Sequence, residues 1–459
     1  MDIPATRGIP TSVVEKTAIR KIAIRIVPFV ALMFFINFLD RTAISFAAPN
    51  GMETDLGLTA AQFGFASGVF FIGYLVLEVP SNLALHKFGA RVWLARIMIT
   101  WGIVSLLFTW VQDYPQLVGL RFLLGVAEAG FFPGAILYLS TWVPARHRGK
   151  MLALFYLAQP LTSVIGSPLA GWLMTHEGLL GGLAGWRFMF LCVSIPAIIV
   201  GILCLLVLKD KPSQAKWLDE DEKLWLEGAL ASENEAKRGD AHGKGGLRAA
   251  FGSGRVWMLA AVYFGFIYGL YALSFFLPTI IDGFQEQFGT TFDLFQKGLI
   301  TAIPYVPAAV VLYFWSRDAF RRGVKVWHIA VPALVGGLSI PVALYMNSPA
   351  ATVAVIAVTA CSIFAALPNF WTVPTQFLTG AAAAAGVALI NTIGNLGGFA
   401  APYITGAVSE WTGGYQVPMF IVGFFMVLSS VLMVVLARNT KRGETAAAEA
   451  ALTAQETIA

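Results

Sequence analysis

The sequence is dominated by long apolar stretches that alternate with short polar segments. A helix needs about 20 predominantly apolar residues to cross the hydrocarbon core of a bilayer, and twelve stretches reach that length. They are residues 24–48, 60–84, 91–111, 116–141, 151–174, 187–208, 256–281, 298–316, 326–346, 350–375, 384–408 and 416–437, called spans 1 to 12 below. We therefore predict an all-α polytopic membrane protein with twelve transmembrane helices.

The composition agrees with this prediction. The 459 residues are 57% hydrophobic and only 12% charged, whereas about a quarter of the residues of an ordinary soluble domain are charged. This composition excludes a soluble enzyme, a nucleic-acid-binding protein and a protein with a single membrane anchor. Because the first apolar stretch is long and lacks a small-residue cleavage site, we expect no cleavable signal peptide.

The basic residues predict how the chain is oriented. Of the 31 lysine and arginine residues, Arg41 and Arg121 are counted inside spans, Arg187 and Lys297 lie on one side, and the other 27 lie on the opposite side. Cytoplasmic loops are enriched in Lys and Arg. We therefore expect a multi-pass protein of the inner or plasma membrane with both termini in the cytoplasm.

The two halves of the chain repeat each other. Gly89 after span 2 and Gly323 after span 8 each begin a segment of the pattern Gly-X-basic-Val-Trp, at an offset of 234 residues. Pro168 in span 5 and Pro402 in span 11 recur at the same offset of 234 residues. Because each half holds six spans, these are parallel repeats, which transporters use to rock two bundles around a central site.

The repeat predicts the domain organisation. We expect two six-helix bundles, a linker and a tail, namely residues 1–208, 256–437, 209–255 and 438–459. In the linker, a short helix is predicted after Asp219, with Trp225 and Leu226 on its apolar edge. We interpret the linker as a solvated cytoplasmic tether, with regulation or partner docking as the alternative.

Charged residues inside the spans are the main candidates for function, because such residues are costly in a membrane and mark ion or substrate pathways. We expect five, namely Asp40, Arg41, Glu78, Arg121 and Glu128. The 1.5 Å rise per helical residue places Asp40 level with Arg121 and lets Arg41 reach Glu128. We predict these two ion pairs between spans 1 and 4, with pairs that merely lock the bundle as the alternative.

An enzyme active site is not expected in the membrane. The five histidines are placed at span ends or in loops, and Cys192, Cys204 and Cys361 lie in apolar stretches without a CxxC spacing. We therefore predict neither a nucleophile with its base nor a set of metal ligands at depth. A transporter-like sensor without net flux stays open as an alternative.

Several motifs resemble those of one transporter family. They are Leu39-Asp40-Arg41, Phe71-Ile-Gly-Tyr74, Glu78-Val-Pro-Ser-Asn82, His86-Lys-Phe-Gly-Ala-Arg91, Arg121-Phe-Leu-Leu-Gly-Val-Ala-Glu128-Ala-Gly-Phe-Phe-Pro133-Gly, Phe370-Trp371-Thr-Val-Pro374-Thr and Asn391-Thr-Ile-Gly-Asn395-Leu-Gly-Gly. Together they are similar to the anion:cation symporter family of the major facilitator superfamily. The resemblance covers essentially the whole transmembrane region, and the motif in span 4 is the most specific.

The resemblance implies a proton-driven importer, without a cofactor, of organic anions such as tartrate, phthalate, hydroxyphenylacetate or sugar acids. It implies that Asp40 and Glu128 respond to protons, while Arg41 and Arg121 pair with them and receive the carboxylate. Further positions match those at which relatives contact substrate, namely Tyr74, Gln159, Trp371 and Asn391. From spacing alone, Tyr74 could equally be a buried aromatic whose hydroxyl is satisfied.

The cytoplasmic gate is expected around Glu78, Asn82 and Arg91. Asn82 and His86 stand where the superfamily's loop signature has Gly and Asp, and Phe320 stands where many relatives have Asp. These departures concern the energetics of the gate and not the central site.

Charge counting predicts the mechanism. Two arginines and two ionised acids sum to zero, so protonating one acid would leave a site of charge +1 that suits a carboxylate. The expected partners are protons, a small organic anion and the bilayer, with the chain acting as a monomer. A drug/proton antiporter is the alternative, although two arginines at the site disfavour cationic drugs.

Overall fold

The computed structural model describes residues 11–240, 251–374 and 380–458. Within these ranges the chain is helical and has no β-strand. The α-helices are Thr11–Arg25, Val27–Ala47, Glu53–Leu56, Ala60–Phe88, Ala90–Leu107, Tyr114–Glu128, Phe131–Ser140, Ala145–Tyr156, Ala158–Met174, Gly185–Val207, Glu220–Asp240, Gly254–Asp282, Phe284–Phe288, Leu294–Ala302, Tyr305–Arg322, Trp327–Ala343, Pro349–Phe370, Gly380–Thr412 and Gln416–Ile458.

The predicted all-α membrane fold is confirmed. Among the described residues, 11 helical segments are long and apolar enough to cross a bilayer, and the shorter apolar helix Trp327–Ala343 corresponds to span 9. Apolar side chains such as Leu206 and Phe424 are exposed on the outside of the bundle. This is the surface expected of a protein whose helices face lipid. The predicted end of span 10, at residue 375, lies outside the described residues.

Contacts between loops show that successive spans run in opposite directions. At one end of the bundle, Trp186 before span 6 donates a hydrogen bond of 2.7 Å to Asp55 after span 1. At the other end, the backbone N–H of Arg91 at the start of span 3 donates a hydrogen bond of 3.0 Å to Asp210 after span 6. We call the end with Arg91 and the linker helix the basic end, and the other the opposite end.

The two glycines that mark the sequence repeat have matching backbone conformations. Gly89 has φ 85° and ψ 150°, and Gly323 has φ 73° and ψ 134°. Both values of φ are positive, which glycine adopts at little cost. Each glycine ends a long helix, so the chain turns in the same way at equivalent places in both halves.

Span 4 is not the continuous helix that its apolar sequence predicts. The helix Tyr114–Glu128 ends at Ala129, and a new helix begins after Gly130, whose φ is +82°. A right-handed helix cannot pass through a residue with positive φ. A Cβ atom at position 130 would also lie 2.5 Å from the Ser81 hydroxyl of span 2. Glycine is therefore required here both by its conformation and by the close approach of span 2.

The two halves meet at the opposite end through closely packed backbones. Span 2 packs against span 11, and span 5 against span 8. At four places a glycine of one half faces a backbone carbonyl of the other so closely that a Cβ atom would clash. The contacts are Gly64 with Pro402, Gly406 with Ala60, Gly171 with Leu294 and Gly298 with Ser167. This small-residue packing closes the opposite end of the bundle.

The linker helix Glu220–Asp240 is bound to the first half of the chain. Trp225 and Leu226 are buried, at 1% and 0% exposure. Glu222 accepts a hydrogen bond of 2.7 Å from Lys21 in the helix that precedes span 1. The prediction of a solvated tether is therefore wrong for this segment, because its apolar edge and its acids both have partners. Residues 241–250 lie outside the described residues.

Candidate functional site

A cavity of about 610 Å³ lies in the centre of the bundle. Spans 1, 2, 4, 5, 7, 10 and 11 contribute its lining, so both halves of the chain contact it. The lining residues are Phe34, Phe38, Arg41, Tyr74, Phe132, Tyr156, Gln159, Tyr263, Ile267, Leu270, Tyr271, Leu367, Trp371, Asn391 and Asn395. Its volume and its mixture of aromatic and polar side chains are typical of a site for a small molecule.

Arg41 is the only charged residue among those lining residues. Its guanidinium forms an ion pair with the carboxylate of Glu128 in span 4. The other arm of the guanidinium donates a hydrogen bond of 2.6 Å to the hydroxyl of Tyr271 in span 7. The guanidinium carbon also lies 4.8 Å from the ring centroid of Phe70, within the range of a cation–π contact. The predicted Arg41–Glu128 pair is confirmed, and Arg41 contacts both halves.

Glu128 lies behind Arg41 as seen from the cavity. It has no exposed surface, and it is the last residue of the helix that ends before the Gly130 break. One carboxylate oxygen contacts Arg41, while the other, Oε2, is buried without a hydrogen-bond partner among the described residues. A buried carboxylate with one oxygen unsatisfied gains little from staying ionised unless the arginine remains next to it.

Arg121 does not form the predicted pair with Asp40. Its guanidinium donates to three backbone carbonyls, at 3.3 Å to Ala66, 3.1 Å to Ser67 and 3.4 Å to Arg41. It is buried and absent from the cavity lining. In this conformation Arg121 joins spans 1, 2 and 4, and it is not placed to contact a molecule in the cavity.

Asp40 faces away from the cavity, towards span 3. Its two oxygens accept hydrogen bonds from Trp101 Nε1, at 2.8 Å, and from the Ser105 hydroxyl, at 3.2 Å. Consecutive residues of an α-helix point about 100° apart. Because Arg41 points into the cavity, Asp40 must point elsewhere. The predicted Asp40–Arg121 pair is therefore wrong, since equal depth in the membrane does not mean that two residues share a face.

Glu78 bridges the two halves near the cavity. Its carboxylate accepts a hydrogen bond of 2.7 Å from the side-chain amide of Asn391 in span 11. Glu78 is buried, and Asn391 contributes to the cavity lining. The gate residue and one of the residues predicted to contact substrate are thus direct partners, a link that the sequence analysis did not predict.

The structure brings together the four residues expected to contact substrate, since Tyr74, Gln159, Trp371 and Asn391 all line the cavity. Their role in binding stays a prediction.

The sequence analysis did not include two further tyrosines of the lining, Tyr156 and Tyr263. Tyr263 lies 4.8 Å from Trp371, measured between ring centroids. It precedes Tyr271 by eight residues on one helix, a spacing that places the two on one face. This periodicity was the available signal for Tyr263.

The other residues expected at the gate lie at the basic end. Arg91 begins span 3 and is held by its backbone contact with Asp210. Asn82, near the end of span 2, is half-buried. Phe320 of span 8 lies against Gly149 of span 5, where a Cβ atom would be 3.4 Å from the ring. Here an aromatic contact occupies the position at which many relatives carry an acid.

One histidine departs from the sequence-based expectation. His328 is fully buried at the start of span 9, although no buried histidine was predicted. Its Nδ1 accepts a hydrogen bond of 2.9 Å from the backbone N–H of Lys325, so it closes the turn before the helix Trp327–Ala343. Among the described residues no cluster of His, Cys, Asp or Glu is arranged to hold a metal ion.

Comparisons with known proteins agree with this architecture. Residues 30–402 match the family described as the Major Facilitator Superfamily. A protein of Agrobacterium vitis named "Putative tartrate transporter" is 45% identical over 435 residues, which are 95% of this chain and 94% of the relative. A "Quinolone resistance transporter" of Acinetobacter baumannii is 37% identical over 431 residues, 94% of this chain and 97% of the relative.

A solved structure has the same fold. It is that of a bacterial homolog of the human lysosomal transporter Spinster, in an inward-facing and unoccupied conformation. It matches with a TM-score of 0.69 at 18% identity and covers 91% of this chain and 97% of that chain. At this identity the likeness concerns the fold alone.

Proposed function

The chain belongs to the Major Facilitator Superfamily and is a membrane transporter, not an enzyme, and on this premise we propose that it imports a small organic anion together with protons. The observation that carries the proposal is Arg41, which lines the central cavity and forms an ion pair with the buried carboxylate of Glu128. An arginine is the side chain best suited to bind a carboxylate, because its planar fork donates two parallel hydrogen bonds. The relative named for tartrate supports the same class of substrate.

Proton coupling follows from the competition for Arg41. While Glu128 is ionised, it occupies the guanidinium and the pair has no net charge. Protonation of Glu128 removes that partner, so the cavity wall gains a charge of +1 that an anion can neutralise. Proton and anion therefore favour each other's binding, and by linkage the effect is reciprocal. The loaded site is again neutral when the two halves move around it.

The structure changes which residues we assign to this mechanism. Glu128 takes the coupling role because it contacts the arginine of the cavity. Asp40, the second acid expected to respond to protons, has Trp101 and Ser105 as its partners, so its coupling role stays a prediction without a direct path to the substrate. Arg121 is assigned to support of the backbone around the site.

We further propose that the basic end faces the cytoplasm of the cell, as the distribution of lysine and arginine predicts. The closely packed glycines then close the extracellular side. With the extracellular side closed, this conformation is one from which substrate leaves towards the cytoplasm. The proposed boundaries of the two bundles remain residues 1–208 and 256–437.

Drug/proton antiport is the second candidate function. It is favoured by the relative named for quinolone resistance and by the many aromatic residues of the cavity lining. The two candidates differ in the direction of transport relative to the proton gradient. They differ also in the charge of the preferred ligand, since an anion would compete with Glu128 for Arg41.

The experiment begins with a thermal-shift screen of the purified protein against tartrate, sugar acids, phthalate and hydroxyphenylacetate, because a ligand that binds the folded state raises its melting temperature. The stabilising acid is then labelled and offered to proteoliposomes under an inward proton gradient. We expect accumulation that collapses when a protonophore is added. Uptake that ignores the gradient would refute coupling, and proton-driven expulsion of a quinolone without binding of any acid would favour the antiporter.

A further inference from the structure

A groove on the outside of the first half contains an arginine that the sequence analysis did not count among the in-span charges. Arg96 lies in the helix Ala90–Leu107 of span 3. Its guanidinium carbon is 4.0 Å from the ring centroid of Trp93. The groove is formed by spans 2, 3 and 4, and Arg96 is the one charged residue among its described lining residues.

Arg96 has no counter-ion of its own. No carboxylate in the described parts of the chain forms an ion pair with it, and its Nε is buried without a hydrogen-bond partner. A guanidinium held at an apolar surface without an anion is costly. The stacking on Trp93 offsets part of this cost, but it leaves the hydrogen-bond donors of the guanidinium free for an external acceptor.

The depth of Arg96 identifies which acceptors can reach it. It lies six residues beyond the start of its helix, about 9 Å along the axis. Side chains of a helix lean towards its N-terminus, which for span 3 is at the basic end, and long arginine side chains extend to the membrane interface. The guanidinium is therefore at the level of the headgroups of the adjacent leaflet, where the available anion is a lipid phosphate.

The rest of the groove suits a lipid chain. Leu77 of span 2, Val104 of span 3 and Leu123 of span 4 line it, and Leu123 is 49% exposed. We propose that this groove binds an anionic phospholipid, with its phosphate on Arg96 and an acyl chain along these apolar side chains. A net anionic headgroup is preferred because the groove offers no carboxylate to a choline or ethanolamine group.

The position of the groove gives the bound lipid contact with the break in span 4. Val126 and Ala127 form part of its wall, directly before Glu128. Ser81, also in the wall, accepts a hydrogen bond of 3.0 Å from Trp93 Nε1 and lies against Gly130. A lipid seated here therefore touches both spans that approach each other at Gly130.

The test uses the full chain, purified in detergent and titrated with phosphatidylglycerol, phosphatidylcholine or inorganic phosphate, with bound lipid counted by native mass spectrometry. We expect phosphatidylglycerol to bind preferentially and Arg96→Ala to weaken that binding about tenfold. Lys87→Ala is the charge-matched control, because Lys87 is exposed at the same end of the bundle, and we expect it to bind as the unmodified chain does.

Two further variants keep the assignment testable if Arg96→Ala fails to fold. Arg96→Lys keeps the charge and should retain most of the binding, whereas Leu123→Trp fills the groove without changing the charge and should lower the binding. Equal loss in Arg96→Ala and Lys87→Ala would overturn the site, as would equal binding of phosphatidylcholine. Competition by inorganic phosphate as effective as that by the lipid would show a phosphate site without a lipid groove.

Discussion

Arg41 of span 1 donates a hydrogen bond of 2.6 Å to the hydroxyl of Tyr271 in span 7, so the arginine proposed to receive substrate is bound to both halves of the chain. The same guanidinium forms an ion pair with Glu128 of its own half. An anion in the cavity must therefore share or replace these two partners. If the two halves rock apart during transport, the contact with Tyr271 is the one that has to change.

Replacing Arg41 tests the proposed carboxylate receiver. Arg41→Ala removes the one charge in the cavity lining and leaves Glu128 buried without its partner, so we expect loss of both uptake and exchange in proteoliposomes. Arg41→Lys should recover little activity, because an ammonium lacks the planar fork that matches a carboxylate. Lys150→Ala, at an exposed basic residue, is the control. Transport by Arg41→Ala at the rate of the control would remove Arg41 from the site.

Replacing Glu128 separates binding from coupling. Glutamine is nearly isosteric with a protonated glutamate, so Glu128→Gln should hold the site in the state that accepts the anion. We expect the variant to bind substrate with weaker dependence on pH and to exchange labelled for unlabelled substrate across the membrane. Uptake against a gradient should be lost, because the empty carrier no longer releases a proton.

Two other carboxylates provide the comparison for this variant. Glu78→Gln keeps a hydrogen-bond acceptor for Asn391, and Asp40→Asn keeps one for Trp101 and Ser105. Neither side chain contacts Arg41, so we expect both variants to retain pH-driven accumulation. Loss of accumulation in Asp40→Asn together with its survival in Glu128→Gln would transfer the coupling role to Asp40.

Removing a single hydroxyl tests the contact between the halves. Tyr271→Phe keeps the aromatic ring but deprives Arg41 of its acceptor, and a hydrogen bond to a charged group contributes about 1.5–3 kcal/mol. We expect the KM for substrate to rise about tenfold, with a smaller effect on kcat. Tyr268→Phe is the matched control, because Tyr268 lies on the same helix and packs on Phe425, 4.7 Å away between ring centroids. Equal effects in the two variants would indicate a general loss of helix packing.

Labelling of single cysteines tests the orientation. In a chain without Cys192, Cys204 and Cys361, a cysteine at Ser232 of the linker helix should be protected from an impermeant thiol reagent added outside intact cells. A cysteine at Glu177, in the exposed loop between spans 5 and 6, should react. The expectation rests on the excess of lysine and arginine at the basic end. The reverse labelling pattern would place the basic end outside the cell.

The sequence was sufficient for the number of helices and for one of the two ion pairs. Hydropathy measures length, and length with a fixed rise gives depth, so the level of Arg41 and Glu128 could be calculated. Depth leaves the direction of a side chain around the helix axis undetermined. That is why Asp40, adjacent to Arg41, was assigned to Arg121 although it points to span 3.

Two other features were beyond the reach of hydropathy. The break at Gly130 lies within an apolar stretch, and nothing in the hydrophobicity of that stretch reports a positive φ. The docking of the linker depends on a few buried side chains, Trp225 and Leu226 among them, in a segment that is otherwise strongly polar. Long apolar segments are therefore predicted well, whereas short contacts made by a few residues are not.

The glycine contacts at the opposite end determine how the transport cycle could be biased. Where Gly64 meets Pro402 and Gly171 meets Leu294, no side chains interlock, and the surfaces that separate are backbone. A single methyl group at one of these positions would act as a wedge that the halves cannot exclude. Alanine at Gly64 or Gly171 should thus shift the resting population towards the state open at that end, and would give a means of trapping this conformation without a crosslink or a ligand.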